Sequence, residues 1–289
     1  MSALPYDLDS MAQSKHEIES LLAGAGMHPR HRFGQNFMID QNLVRIVADA
    51  GMIGGSDLVI EVGPGTGTLT EELLARAGHV VAVEIDRDLA ALLRERFSEN
   101  SKFQLIEGDA LAGKHELNAE LLVAIRAAGE VGQKVKLVAN LPYNIASPLV
   151  IELLLAGVER LAFTVQKEVA LRMKAQADSD DYGPLSIMAQ MLSRVEVLRT
   201  LPPQAFWPAP KIESALVCMV REDRLGECAP QFSRFVHQLF SARRKTLRKA
   251  LSQAEYPTDR MLTAVGIDGS LRPETLTPGQ ILGLFKVVE

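Results

Sequence analysis

The stretch Leu58-Val59-Ile60-Glu61-Val62-Gly63-Pro64-Gly65-Thr66-Gly67 decides the fold of this 289-residue chain. Its first five residues, apolar and β-branched apart from one carboxylate, read as a strand buried on both faces. Three glycines at alternate positions then make a turn. Thr68-Leu69-Thr70-Glu71-Glu72-Leu73-Leu74 opens a helical pattern. Strand, glycine turn and helix form the opening unit of a doubly wound α/β sheet, with backbone amides at the turn free to meet a nucleotide-like ligand. The helix is expected over 68–77, stopped by Gly78 as a left-handed cap.

Outward from this unit, short β-branched runs alternate with helical patterns. Strands are expected at 58–62, 80–84, 103–107, 135–139, 160–165, 195–200 and 215–220. Between the fourth and fifth, Ser147 and Pro148 read as cap and first turn of a helix over 149–156. Beyond Val220, Phe232, Phe235, Val236, Leu239 and Phe240 recur at helical spacing and no convincing strand follows. The last helix is expected from Thr277, with Pro278 in its first turn and Gln280 completing a capping box. Three segments result: an extension over 1–27, poorly ordered or helical; an α/β domain over 28–222; and a helical domain over 223–289, with the linker near 221–230.

A hydrophobic fraction of 47% suits a large core, and no apolar run reaches the ~20 residues that span a bilayer. Residues 1–27 carry Asp7, Asp9, Glu17 and Glu19 and resemble neither a secretory signal nor a transit peptide, so a cytoplasmic protein is expected. Cys218 and Cys228 show no metal-ligand spacing, and no metal is called for. A net charge of −5 offers no global pull toward nucleic acid. Phosphate contacts depend on local clusters, however, and two exist: His28, Arg30, His31 and Arg32, and the denser Arg243, Arg244, Lys245, Arg248 and Lys249. Either alone is equally well read as a solvated helix face.

The glycine spacing is Gly-x-Gly-x-Gly rather than the dinucleotide Gly-x-Gly-x-x-Gly, and Glu61 leads into it. A carboxylate there would repel pyrophosphate but suits S-adenosylmethionine, which carries an ammonium and a sulfonium. Glu84, ending the second strand, can accept both ribose hydroxyls. Asp109, in Glu107-Gly108-Asp109-Ala110 after the third strand, can take the adenine amine of the cofactor. Each alone reads as a surface carboxylate; together, at successive strand ends of one sheet, they read as a cofactor site.

Asn140-Leu141-Pro142-Tyr143 follows the fourth strand, beside the switch point where ligands of such sheets bind. An exocyclic base amine is a poor nucleophile because its lone pair is delocalised into the ring. Acceptors around it, here the Asn140 side-chain oxygen and the Leu141 carbonyl, can hold its hydrogens and favour a pyramidal nitrogen. Pro142 fixes the turn, and Tyr143 offers a face on which a flipped-out base can stack. No strong general base is required, because the sulfonium leaves as a neutral thioether.

With these motifs in place, the chain resembles the KsgA/RsmA family of ribosomal RNA adenine dimethyltransferases from about Arg30 onward. The resemblance rests on Phe33-Gly34-Gln35-Asn36-Phe37, Glu61 to Gly67, Glu84-Ile85-Asp86, Gly108-Asp109-Ala110 and Asn140-Leu141-Pro142-Tyr143-Asn144. It continues through Gln166-Lys167-Glu168-Val169, Tyr182-Gly183-Pro184-Leu185-Ser186, Phe206 to Ser214 and Arg243-Arg244-Lys245-Thr246-Leu247.

The implied fold is the Rossmann-like class I methyltransferase seven-stranded sheet with a small C-terminal all-helical domain. Asn36, the backbone at Met38, Gly63, Glu84, Asp109 and Asn140 are implied to contact S-adenosylmethionine, beside Glu61, Gly65 and Gly67 of the turn. Tyr143 is implied to stack on the target adenine. The implied substrate is two adjacent adenosines in the loop of the last helix of small-subunit rRNA, each receiving two methyls, in the assembling 30S subunit; a monomer is expected. Arg243, Arg244, Lys245 and Arg248 are candidate RNA contacts. So is Lys211, in a loop over 206–211 expected near the mouth of the site with an aromatic, although that stretch reads equally well as a Pro-rich connector. Lys167 and Glu168 read as a solvated helix start.

Met38 stands where the family usually has Leu, and the segment 113–133 is somewhat long. Two other readings stand beside the main one: a large-subunit rRNA methyltransferase of the antibiotic-resistance type, and a non-catalytic assembly or RNA-binding factor. Leu141 and the Arg243-Arg244-Lys245 element favour the small-subunit family; the intact acidic positions and Asn140 speak for catalysis.

Overall fold

The computed structural model describes residues 13–30, 34–113 and 116–289. Seven strands form one sheet: β1 Leu58–Val62, β2 His79–Glu84, β3 Phe103–Glu107, β4 Val135–Asn140, β5 Arg160–Gln166, β6 Ser193–Leu201 and β7 Ser214–Arg221, in the order β3-β2-β1-β4-β5-β7-β6. The pairings β1·β2, β1·β4, β2·β3 and β4·β5 are parallel. Strand order reverses between β1 and β4, so the turns after these strands open side by side at the carboxyl edge. All five residues of β1 are buried, as a central parallel strand covered on both faces requires.

Twelve helices are described: α1 Lys15–Gly24, α2 Gln41–Ala50, α3 Thr68–Arg76, α4 Arg87–Arg96, α5 Ala119–Glu130, α6 Ala146–Leu155, α7 Lys167–Lys174, α8 Pro184–Leu192, α9 Ala229–Ser241, α10 Leu247–Gln253, α11 Thr258–Val265 and α12 Pro278–Phe285. Val44, Val47 and Ala48 of α2 and Leu69 and Leu73 of α3 pack with Val59, Val80 and Val138 of the sheet in one apolar cluster. Asp86 caps α4 through Asp88 N, and Thr277 and Gln280 form the expected reciprocal box at α12.

Several expectations change. Gly78 is absent from the left-handed positions; α3 ends with Ala77 as its cap. A side chain at Gly78 would instead meet the Gly55 carbonyl oxygen at 2.9 Å, so packing dictates the glycine. Helix α6 starts at Ala146 behind Ile145, leaving Ser147 and Pro148 inside its first turn, where a missing amide N–H costs no helical bond. The segment 113–133 is accommodated by a small antiparallel hairpin, Leu111–Gly113 with Glu116–Leu117, followed by α5.

The chain divides into two compact units: residues up to Lys167 with Val197–Met219, and Glu168–Glu196 with Val220–Glu289. Helices α7 and α8 therefore group with the helical unit, although β6, which follows them, is a strand of the sheet. Tyr182, between α7 and α8, is buried, donates to the Leu276 carbonyl at 2.8 Å and packs edge-on to Phe240. Within that unit Phe285 packs on Phe232 and Phe235, with ring centroids 5.5 and 5.7 Å apart. In the N-terminal extension, α1 carries a complete Ser14–Glu17 capping box; residues 1–12 lie outside the described residues.

Candidate active site

A cleft with a cavity volume of ≈ 110 Å³ opens at the carboxyl edge, lined by the segments 34–38, 61–66, 68–69, 83–85, 108–110 and 140–145 together with Leu89. It collects Asn36, Met38, Glu61, Gly63, Gly65, Glu84, Asp109, Asn140, Leu141, Pro142 and Tyr143. Gly67 stands just behind it as the left-handed N-cap of α3.

All three turn glycines have positive φ: 72° at Gly63, 61° at Gly65 and 87° at Gly67. What crowds them is protein. A Cβ at Gly63 would lie 3.2 Å from the Pro142 ring, at Gly65 2.9 Å from the Phe37 ring and at Gly67 2.8 Å from the Phe97 ring. The glycines thus let neighbouring side chains close around the turn.

Glu84 is 4% exposed. One of its oxygens accepts from Asp86 N at 2.9 Å and the other from Gly65 N at 3.3 Å, so the acid of β2 is tied to the turn after β1. Each carboxylate oxygen keeps a further lone pair, which suits a pair of vicinal hydroxyls. Burial pushes the Glu84 carboxyl up to about 7, against the backbone amides of Asp86 and Gly65, which favour its ionised form. Glu61 is 1% exposed, accepts from the Thr70 hydroxyl at 2.6 Å and is pushed up to about 8, chiefly by burial, with the Glu84 charge adding to the rise. Two carboxylates that burial makes costly to ionise suit a ligand whose positive charge and hydroxyl donors would favour their ionised forms. The donor set therefore fits S-adenosylmethionine. Asp109 is exposed on the cleft rim, and its Oδ1 already accepts from Leu111 N at 3.0 Å.

The Asn140 amide is fixed at both ends. Its Nδ2 donates to the Asn36 carbonyl oxygen at 2.7 Å, and the Thr164 hydroxyl, on β5, donates to its Oδ1. Asn36 contributes this main-chain oxygen while its own Nδ2 donates to the Gly34 carbonyl at 3.0 Å. Tyr143 is half-buried and its hydroxyl lies 2.7 Å from the buried Ser214 hydroxyl. Burial raises the Tyr143 phenol, so it is neutral.

The sequence assigns no role to Thr164, inside the fifth expected strand, or to Ser214, which ends the 206–214 motif. Nor does it assign one to Asp86 of the Glu84-Ile85-Asp86 motif. Asp86 caps α4, accepts from Gln35 Nε2 at 3.1 Å and pairs with Arg30 at 2.8 Å. Arg30 also pairs with Asp88. The Arg30 guanidinium is thus engaged by carboxylates; His31 and Arg32 of the same cluster lie outside the described residues.

The expectation for 206–211 is half corrected. Phe206 and Trp207 form a short strand against Phe37 and Met38, Phe206 is buried, and the Trp207 ring stacks on Phe37 at 6.3 Å. These aromatics brace the Asn36–Met38 segment. Lys211 is exposed beyond them, and Lys167 starts α7 in an ion pair with Glu213 at 2.8 Å.

In the helical unit, Arg243, Arg244 and Lys245 occupy the turn between α9 and α10 rather than a helix face. Arg243 pairs with Glu274 at 2.9 Å and donates to the Asp180 carbonyl, and Arg248 pairs with Asp259. Arg244 and Lys245 are exposed.

The chain has well-matched relatives. A Magnetococcus marinus protein called ribosomal RNA small subunit methyltransferase A is 42% identical over 273 residues, 92% of this chain and 94% of that one. A Moorella thermoacetica protein of the same name is 38% identical over 98% of this chain and 100% of its own. The solved 23S rRNA methyltransferase ErmE superposes with a TM-score of 0.62 at 27% identity, over 88% of this chain and 99% of that one. A Plasmodium falciparum dimethyladenosine transferase shares the fold, with a TM-score of 0.67 at 22% identity over 86% and 95%. The family model described as ribosomal RNA adenine dimethylase matches residues 26–289, and the chain belongs to that family.

Proposed function

We propose that this protein dimethylates the exocyclic amines of two adjacent adenosines in the 3'-terminal helix loop of small-subunit rRNA, using S-adenosylmethionine, within the assembling 30S subunit. The observation that carries this reading is the fixed amide of Asn140 beside Tyr143 at the mouth of a cleft lined by Glu61, Glu84 and Asp109. Relatives at 38% and 42% identity named for the small subunit favour it over the large-subunit alternative, whose solved example is 27% identical.

When bound, the cofactor supplies a methyl group on a sulfonium. Glu84 holds the ribose hydroxyls, Glu61 sets the charge beneath the turn, and Asp109 accepts at the rim. Asn140 works from a fixed orientation: with Nδ2 committed to the Asn36 carbonyl, its Oδ1, which accepts from Thr164, keeps a second lone pair for an amine hydrogen. The Leu141 carbonyl takes the second hydrogen, or leaves room for the first methyl in the second transfer. Tyr143 stacks on the adenine, its ring held by Ser214. Arg244 and Lys245 make phosphate contacts, with Lys211 a further cationic contact.

The test is labelled-methyl transfer to immature small subunits, followed by mapping of the modified adenines. Label in two adjacent small-subunit adenosines is expected; label confined to large-subunit rRNA would move the protein to the resistance-type reading. No adenosylmethionine binding would favour a non-catalytic assembly factor.

A further inference from the structure

The N-terminal extension precedes residues 26–289, the part that the family model matches, although the Moorella thermoacetica relative aligns over 98% of the chain. Its helix nonetheless reaches the cofactor turn. Gln13, next to the cap of α1, is only 7% exposed and lies against the turn, its amide 2.6 Å from the Thr66 hydroxyl and 2.8 Å from that of Thr68. With the amide nitrogen donating to these two hydroxyls, its oxygen accepts from Arg96, whose Nη2 lies 2.9 Å away. Arg96 in turn donates to the Thr66 carbonyl and pairs with Glu71 of α3. One buried side chain thus joins both threonines that flank Gly67 to the cation of α4.

An apolar contact delivers this amide. Ile18 and Leu22 of α1 are buried with Met27, Phe37 and Leu89 in a separate cluster, with Trp207 packed against it. Phe37 is the ring that lies against Gly65, and both Phe37 and Leu89 line the cleft. The Ser14–Glu17 box fixes where α1 begins, directly after Gln13.

We propose that Gln13 is a positioning residue of the cofactor site. It clamps the glycine turn through Thr66, Thr68 and Arg96, and α1 is the strap that holds it there. The clamp keeps Gly65 N on Glu84 before the cofactor arrives, so less ordering is left to be done on binding. The effect falls on cofactor affinity, because neither Gln13 nor α1 supplies a group to the cleft around Asn140 and Tyr143. The proposal rests on reading the cleft as the adenosylmethionine site.

The experiment uses the full chain with Gln13→Ala and Gln13→Glu, measuring adenosylmethionine binding by calorimetry, KM for each substrate, kcat and the melting temperature. Gln13→Ala is expected to weaken adenosylmethionine binding about tenfold, the effect of losing a buried hydrogen-bond centre. The kcat at saturating cofactor and the KM for rRNA should stay within about twofold of wild type, the pattern of lost ground-state binding. Gln13→Glu should recover most of the affinity, since its carboxylate can accept from both threonine hydroxyls and from Arg96. Wild-type affinity in Gln13→Ala would overturn the clamp while leaving the cofactor reading intact. An equal loss in rRNA KM, kcat and stability that Gln13→Glu does not recover would also overturn it, marking Gln13 as a merely structural residue. A wild-type chain that binds no adenosylmethionine would bring down the site reading and the clamp together.

Discussion

The hydroxyls of Tyr143 and Ser214 lie 2.7 Å apart, linking the turn after β4 to the first residue of β7. This bond locks the rotation of the one exposed-face aromatic in the Asn140–Tyr143 turn. Tyr143→Ala should lower kcat/KM for rRNA by about 5- to 150-fold, the range of ~1–3 kcal/mol for a base-stacking ring. Tyr143→Phe keeps the face, and Ser214→Ala frees the ring without removing it; each should cost about tenfold or less, as one hydrogen bond does. Steady-state kinetics on small-subunit particles distinguish these cases. A Tyr143→Phe variant as inactive as Tyr143→Ala would show that the hydroxyl, rather than the ring face, does the work.

Thr164 holds the oxygen of the Asn140 amide from the neighbouring strand. Thr164→Val, similar in shape but without the hydroxyl, should reduce kcat about tenfold by loosening that oxygen. Binding of adenosylmethionine, followed by calorimetry, should change far less. An unchanged kcat would show that the Asn36 contact alone orients the amide.

The buried acids give a pH dependence of defined sign. Both fold into sites that raise them from the usual 4.5, Glu84 to about 7 and Glu61 to about 8. Between the two ranges the folded, cofactor-free protein binds more protons than the unfolded chain, so its stability falls as pH rises from about 4.5 to about 8. A ligand carrying positive charge and hydroxyl donors favours the ionised acids. Binding of adenosylmethionine should therefore release protons and tighten between about pH 6 and 8, by at most ~tenfold per unit for each group. Calorimetry in buffers of different ionisation enthalpy reads the release directly; affinity that falls with rising pH over this range would contradict the assignment.

The turn between α9 and α10 separates two kinds of arginine. Arg244→Ala and Lys245→Ala should each flatten the log–log salt dependence of rRNA binding by about one phosphate contact. Arg243→Ala removes the Glu274 pair within the helical unit, a half-exposed contact worth ~1 kcal/mol or less. Its effect should appear in thermal unfolding more than in the salt slope. The same slope change for Arg243→Ala without loss of stability would make it a phosphate ligand.

Much of the molecule was legible in the chain because its signals are local. The expected strands coincide with the observed ones to within two residues at either end, since buried parallel strands announce themselves as apolar β-branched runs. Glu61, Glu84, Asp109 and Asn140 followed from their places at strand ends, whereas Asn36 and Met38 came only with the family resemblance. What escaped depends on distant partners. Thr164 and Ser214 stand 24 and 71 residues from the side chains they orient, and nothing in their own neighbourhoods points to those partners. Helices α7 and α8 group with the helical unit, where Tyr182 between them donates to the Leu276 carbonyl 94 residues away. Arg30 and Arg243 read from the chain as members of local cationic clusters, because the carboxylates they pair with, Asp86 and Glu274, lie 56 and 31 residues away.

The central claim is that the Asn140 amide directs an adenine amine at the methyl donor. Mass spectrometry of small-subunit rRNA after incubation with the enzyme and labelled adenosylmethionine tests it most directly, comparing wild type with Asn140→Ala. The account predicts two adjacent dimethyladenosines with wild type. Asn140→Ala should keep its fold by thermal melt while losing about 10²- to 10³-fold in rate, the cost of removing a positioned polar group from such a site. Full dimethylation by Asn140→Ala, or modification of a base other than adenine, would contradict it.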